Sequence, residues 1–499
     1  YGMASVGYNN MVYLDLTARN DWSSTLPSDN RSYFYPSASL SVLVSEMFEL
    51  PSWISFAKLR GGIAQVGNDT SPYSLNQFFT IGADWGNQKR IYMGGTLKNP
   101  NLVPEIATSK EVGVDLNLFN NRIGLDATWY VVENANQVLS ISLPVESGAT
   151  SKMINTGLIT SKGWEIALST TPVMANKFRW DMNFNFTRNR TWLTRLAEGM
   201  TNFQWYSTDG AMFMTYEGGL IGDIYQQPML VVKDKNSAYY GYPLLTTDGK
   251  YQIDTDPALH EKIGNSNPDF TLGIQPSVSW GPFSLYANID WNQGGDYYSK
   301  TRMFMQNNGQ RDDTFSGNPY DPSRPIQDQV KENPHYFFGE WVGGRTAEFG
   351  GFPWPGTSGA GRLQDASFNV GVREVVVNGV KTYVENFGGE GTRWLDPFNA
   401  VRYANRPFPS RNTYDATFVK LRELALTYRV PKQFSAKAGL YNSSVSFIAT
   451  NLYTWTRVKN DIDPERAYKP NSGAWTQGVE YYNTMPWTCT LGLKLNLEF

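Results

Sequence analysis

Aromatic rings set among Gly, Pro and short polar residues are the chemistry this 499-residue sequence offers most freely. Tyr297, Tyr298, Trp341, Trp354 and Trp394 fall within one stretch, 293–414, and Trp475 falls within a second, 453–485. An exposed ring face stacks on a sugar or holds a peptide side chain, and neighbouring Asp, Asn and Arg supply the hydrogen bonds that fix orientation. These six are the candidate contact residues. The plainer reading of any one of them is that its ring packs a long loop against itself or against a partner. Loops of this length are usually functional, so the set as a whole is expected to include contacts to a ligand or to a covering protein.

Other constellations carry less. Asp461, Asp463 and Glu465 stand close together, but they lack the ligand positions of an EF-hand, and the Asp-Pro-Glu run reads as turn chemistry. His260 and His335 are the only histidines and lie in separate long stretches. No GxSxG, Walker A or HExxH pattern occurs. The single cysteine, Cys489, excludes an internal disulfide and a cysteine-based zinc site. No enzyme, metal or cofactor is expected. A net charge of −3 without a basic block argues against nucleic acid.

The elements that must position such loops are strands. In the last fourteen residues, 486–499, the odd positions Trp487, Cys489, Leu491, Leu493, Leu495, Leu497 and Phe499 are apolar. The even positions Thr488, Thr490, Gly492, Lys494, Asn496 and Glu498 are not, so a strand here has one apolar and one polar face. Twelve steps of about 3.3 Å, tilted near 45°, separate Trp487 from Phe499 by roughly 28 Å along a membrane normal. That approaches the apolar band, about 25 Å tall and edged by aromatic residues, of an outer-membrane barrel. A strand of a soluble sandwich would alternate too; length and repetition upstream favour the membrane. No apolar run is long enough for a transmembrane helix.

Thirteen such stretches can be read: 2–8, 11–20, 37–44, 56–66, 111–118, 122–132, 161–170, 178–188, 269–280, 283–292, 415–429, 443–452 and the terminal one. The phase slips between Leu421 and Leu424, which predicts a bulge. Asn9-Asn10 and Asn120-Asn121 are dipeptides that tolerate positive φ in hairpins. Connections alternate in length. Those at 9–10, 45–55, 119–121, 171–177, 281–282 and 430–442 are short; those at 21–36, 67–110, 133–160, 189–268, 293–414 and 453–485 are long. An up-and-down barrel puts every second connection at one rim, and outer-membrane barrels keep periplasmic turns short and extracellular loops long. The expected fold is therefore an all-β, transmembrane, antiparallel up-and-down barrel over 1–499, with the C-terminus periplasmic.

Several motifs in order then resemble the SusC-like (SusC/RagA) TonB-dependent transporters of Bacteroidota outer membranes. They are Arg19-Asn-Asp-Trp-Ser-Ser24, YPSASLSVLVSEMF (35–48), KLRGGIAQVGND (58–69) and NPNLVPEIATSKEVGVDLNLFNNRIGLDATWY (99–130). GNSNPDF (264–270), YDATFVKLRELALTYRVPK (414–432), NLYTWTRVKNDIDPE (451–465) and the terminal strand complete the set. Trp22 and Asp461-Ile462 stand where the family has glycine, which affects loop detail. The resemblance implies about 22 strands around a plug. It thus implies that the chain is the C-terminal part of such a barrel, without the plug, the TonB-contacting segment or the small N-terminal domain. It also implies import of an oligosaccharide or peptide, energised through the TonB complex and assisted by a SusD-like lipoprotein lid over the loops. A passive porin, or a surface adhesin that does not translocate, is the alternative. Tyr1 falls inside a strand pattern, so a signal peptide has been removed or the chain begins partway through a longer polypeptide. Both sheet edges are expected to pair with another polypeptide segment, because open edges in lipid are costly.

Overall fold

The computed structural model describes residues 1–308, 366–387, 391–393, 395, 407–437, 439–468, 477–482 and 487–498, with short strands at 340–342, 347–348 and 362–363. Thirteen strands follow one another in an antiparallel meander, each paired with its neighbour in sequence. They are β1 (Gly2–Tyr8), β2 (Val12–Trp22), β3 (Ser32–Leu43), β4 (Ile54–Asn68), β5 (Glu105–Leu118), β6 (Ile123–Ser142) and β7 (Ser151–Ala175). The path continues through β8 (Phe178–Arg195), β9 (Phe270–Trp280), β10 (Phe283–Gln293), β11 (Phe418–Arg429), β12 (Asn442–Thr456) and β13 (Thr490–Glu498). All thirteen expected stretches are strands. Among the described residues β1 pairs only with β2 and β13 only with β12, so 490–498 do not pair with 2–8.

Register explains why the sheet has two chemically distinct faces. One row of cross-strand partners runs Val12, Val42, Leu59, Val114, Ala127, Ile166, Phe186, Leu272, Trp291 and Val419. The row one residue along runs Tyr13, Ser41, Arg60, Gly113, Thr128, Glu165, Thr187, Thr271 and Asn292. A slip of one residue in any pair would mix the two rows, so alternation in sequence fixes the register. Aromatic rings edge the apolar face. Phe283 and Tyr428 lie 5.0 Å apart near one end, and Phe270 and Trp291 5.2 Å apart near the other. From Phe283 to Trp291 the strand climbs about 20 Å at a barrel-like tilt. No helix among the described residues is long and apolar enough to cross a membrane.

The two rims differ. At one, tight connections close hairpins: Asn9 and Asn10 hold φ of 47° and 57°, and Phe119, Asn120 and Asn121 hold 53°, 54° and 63°. The left-handed conformation expected of the Asn-Asn dipeptides is the one they adopt. At the opposite rim lie the long connections 69–104, 196–269, 294–417 and 457–489. The strict alternation of lengths does not hold, however. β6 and β7 run on to Ser142 and back from Ser151, which reduces the expected loop 133–160 to 143–150. β2 and β3 likewise reduce 21–36 to 23–31, while 44–53 and 430–441 at the turn rim are longer. Strands of 20 and 25 residues exceed the 9–11 that cross a bilayer, so the β6–β7 pair continues beyond the apolar band.

The terminal strand is also shorter than its pattern. Its regular alternation begins at Thr490, with Leu491, Leu493, Leu495 and Leu497 exposed, Leu493 at 80%. Trp487 lies ahead of the strand and does not continue the apolar face. Its ring instead sits 5.2 Å from the Lys420 ammonium, on the polar side.

Candidate functional site

Burial concentrates in the long connections. Asp296–Ser299 is the middle of a three-stranded strap, antiparallel to Thr413–Asp415 and parallel to Val479–Glu480. The strap therefore joins the connection after β10, the segment leading into β11 and the connection before β13. Alternation along it sends Tyr297 and Tyr298 to opposite sides. Tyr297 is 0% exposed among Ala416, Ile462 and Ala467, and its hydroxyl accepts from Asn460 Nδ2 at 2.9 Å. Burial pushes this phenol well above its ordinary range. Tyr298 is 1% exposed among Ala211, Phe213, Ile224, Met303 and Val479.

These two tyrosines are thus a correction to the expectation of ligand-contacting rings. Their faces are covered, because a strand threaded between two loop layers has no free side. Trp341 sits in the short strand Glu340–Val342 opposite Ser367. Trp354, Trp394, Trp475 and His335 lie outside the described residues.

The strap ends on a buried acid. Glu480 accepts from Ser299 Oγ and Thr301 Oγ1, each at 2.7 Å, and pairs with Arg466 at 3.3 Å. Ser299 also caps the helix Lys300–Asn307 by accepting from the Arg302 N–H. Two further assemblies extend the rim. One is a four-stranded sheet of Asn202–Thr208, Ala211–Tyr216, Asp223–Gln226 and Glu261–Asn265. The other is the hairpin Gly371–Val377/Val380–Asn386, with Leu244–Leu245 alongside in parallel.

Beneath the strap, on the polar face, lies a charge cluster that sequence reasoning missed. Lys420, 2% exposed, donates to Asp463 at 2.6 Å and 2.7 Å and to Glu465 at 2.6 Å. Arg422 donates to Asp290 at 2.6 Å and pairs with Glu465 at 2.7 Å. Arg422 is the extra residue of the bulge, since the register of β11 shifts between Leu421 and Glu423. A bulge re-aims a side chain, and here it puts two cations from neighbouring positions into one cluster. Phase slip was the visible signal; which residue it would turn inward was not. Trp487 covers both cations, 5.7 Å from the Arg422 guanidinium. Asp463 and Glu465 are therefore held as ion-pair partners, and no metal-binding group of His, Cys, Asp or Glu is found among the described residues.

A second ladder lines the same face. Arg60 donates to both Asp126 oxygens, at 2.6 Å and 3.1 Å, to Asp115 at 2.9 Å and to Thr128 Oγ1 at 2.6 Å. Its side chain passes over Gly113, where a Cβ would stand 2.7 Å from Nε, so the glycine makes room for it. Paired, hydrogen-bonded charges across three strands suit a water-filled lumen far better than lipid.

Comparison with known proteins bears on this geometry. The sequence model of a family described as TonB dependent receptor-like, beta-barrel, matches residues 1–337. The chain belongs to that family. This TonB-dependent receptor-like barrel is an outer-membrane fold, so its apolar face meets lipid and its polar face meets the lumen. Among relatives, TonB-dependent receptor P3 of Formosa agariphila is 24% identical over 525 residues, covering 100% of this chain and 45% of the relative. TonB-dependent receptor SusC of Bacteroides thetaiotaomicron is 26% identical over 209 residues, covering 40% of this chain and 21% of that protein. A structure of the RagAB peptide transporter superposes with a TM-score of 0.64 at 20% identity, over 93% of this chain and 44% of that one. The SusC-like resemblance read from the motifs agrees with these relatives. The chain spans less than half the length of the curated relatives it matches over its whole extent.

Proposed function

We propose that residues 1–499 are the C-terminal part of a TonB-dependent importer barrel that takes up an oligosaccharide or a peptide. In this reading the plug and the TonB-contacting segment belong to other parts of the same transporter. The loop rim faces the outside, the C-terminus faces the periplasm, and a SusD-like lipoprotein closes over the loops. The observation that supports it most is the asymmetry of the rims. One rim carries mainly tight turns, whereas the other carries connections interlocked by the Asp296–Ser299 strap. A passive pore needs no such assembly. An importer that receives cargo from a covering partner needs a shaped, stable rim on one side only.

Uptake by cells expressing the full-length transporter tests the proposal. Labelled oligosaccharides and labelled peptides are supplied with TonB present and with TonB deleted. Accumulation of one class, lost on deletion of TonB, is the expected result. Undiminished accumulation without TonB would return the passive porin, and surface binding with no accumulation under either condition would return the adhesin.

A further inference from the structure

Positive charge gathers at one end of the lipid face. Register sets Val112, Trp129, Trp164 and Arg188 in one row on that face, across β5 to β8. The next row toward the loop rim holds Lys110, Val131, Lys162 and Arg190. Two of these cations are answered: Lys110 pairs with Glu133 at 3.1 Å, and Arg190 pairs with Asp269. Lys162 and Arg188 are exposed and form no ion pair among the described residues; Lys162 lies 5.8 Å from the Trp192 ring. Toward the turn rim the same face continues through Val114, Leu116, Leu125, Leu168, Phe184 and Phe186, and β5 to β8 carry no Lys or Arg on it there.

An apolar groove lies directly beside these cations. It holds about 370 Å³ on the lipid face of β2 to β5, lined by Leu14, Leu40, Ile63, Val112 and Trp129, with Lys110 at its loop-rim end. Gly61 forms the floor, between Leu40 and Val112. The Gly61 backbone is not left-handed, and an added Cβ would meet only the Glu111 carbonyl oxygen, at 3.6 Å. Neither conformation nor packing within the chain requires glycine there; its missing side chain keeps the groove open. An apolar groove in lipid with cations at one end matches a molecule with an acyl chain below and an anionic head above. Lys and Arg near the end of a membrane strand reach toward headgroups while their stems stay among apolar groups, and both donate to phosphate oxygens. The span from β5 to β8 is about 14 Å, which suits a headgroup of linked sugars bearing phosphates better than a single phosphate.

We infer that Lys110, Lys162, Arg188 and the groove over Gly61 bind a phosphorylated glycolipid of the outer leaflet, its phosphates on the cations and an acyl chain in the groove. The inference rests on the import reading only for the outward orientation of the loop rim. Lipid binding is measured without transport, and orientation is decided by protease access, so failure of either is separable from failure of import.

The test is native mass spectrometry of the full-length transporter in micelles, titrated with lipid A, with the same lipid A dephosphorylated, and with phosphatidylglycerol. The expected result is a bound lipid A that survives desolvation, with both other lipids held more weakly. Lys162→Gln combined with Arg188→Gln should weaken lipid A binding roughly tenfold, through loss of two headgroup cations. Gly61→Leu should weaken it about threefold by filling the groove, and should weaken dephosphorylated lipid A by the same factor. Lys437→Gln, at the turn rim, should change nothing. Equal binding of phosphorylated and dephosphorylated lipid A would overturn the site, and so would an unchanged affinity in the double variant. Tighter binding of phosphatidylglycerol than of lipid A would overturn the glycolipid as its occupant. The wild-type comparison of the three lipids decides this even where a variant folds poorly.

Discussion

At the scale of single residues, the decisive side chains are charged rather than aromatic. Lys420 is buried against two carboxylates, and removing one member of such a cluster leaves unpaired charge behind. Lys420→Met should destabilise the loop rim by about 3 kcal/mol, read as lowered protease resistance of 457–489 in the full-length protein. No change on that substitution would mean the cluster is solvated and inert. The same cluster predicts a pH response. Burial alone would raise the Glu465 carboxyl, but Arg422 and Lys420 outweigh it and hold the group below its ordinary range. A depressed carboxyl contributes stability above its unfolded value and loses it as pH falls through the folded one. Loop protection should therefore be constant near neutrality and decline below about pH 4. Glu465→Gln should remove most of that acid sensitivity.

At the scale of elements, the wall was legible and the loops were not. Period-two alternation named all thirteen strands because one face must be apolar throughout, and Asn-Asn pairs named hairpins because they accept positive φ. Where alternation gave way to polar sequence, as in β6 beyond Val132, pairing continued regardless and the strands outran their pattern. Tyr297 and Tyr298 misled because composition shows that rings are present, not which partners cover them. The ion pairs of Lys420 and Arg422 join residues more than forty positions apart, beyond any local signal. For the terminal strand the expectation is specific. Leu493→Lys or Leu495→Lys should cost about 2–4 kcal/mol of stability in lipid vesicles, and Asn496→Lys on the lumen face far less. Equal costs on both faces would contradict a lipid-facing leucine row.

At the scale of the molecule, sidedness is the testable property. A protease added to intact cells should reach 196–269, 294–417 and 457–489, and spare the turns at 176–177 and 281–282. Fragments cut at those turns would invert the orientation. The β6–β7 pair should be reached only at its tip, 143–150, since its upper pairing protects the backbone on either side.

The strap also has a consequence for the order of folding. Most wall strands pair across short connections, the widest gap being the 126 positions between Asn292 and Phe418, whereas the strap joins Ser299 to Glu480, 181 positions away. Local pairing closes quickly and distant pairing waits for loop closure. Refolding into micelles should therefore proceed in two stages, with strand signal first and proteolytic resistance of the loop rim later. Tyr298→Ala should delay the second stage and leave the first untouched, so a newly inserted barrel would pass through an interval with its wall complete and its rim still unfastened.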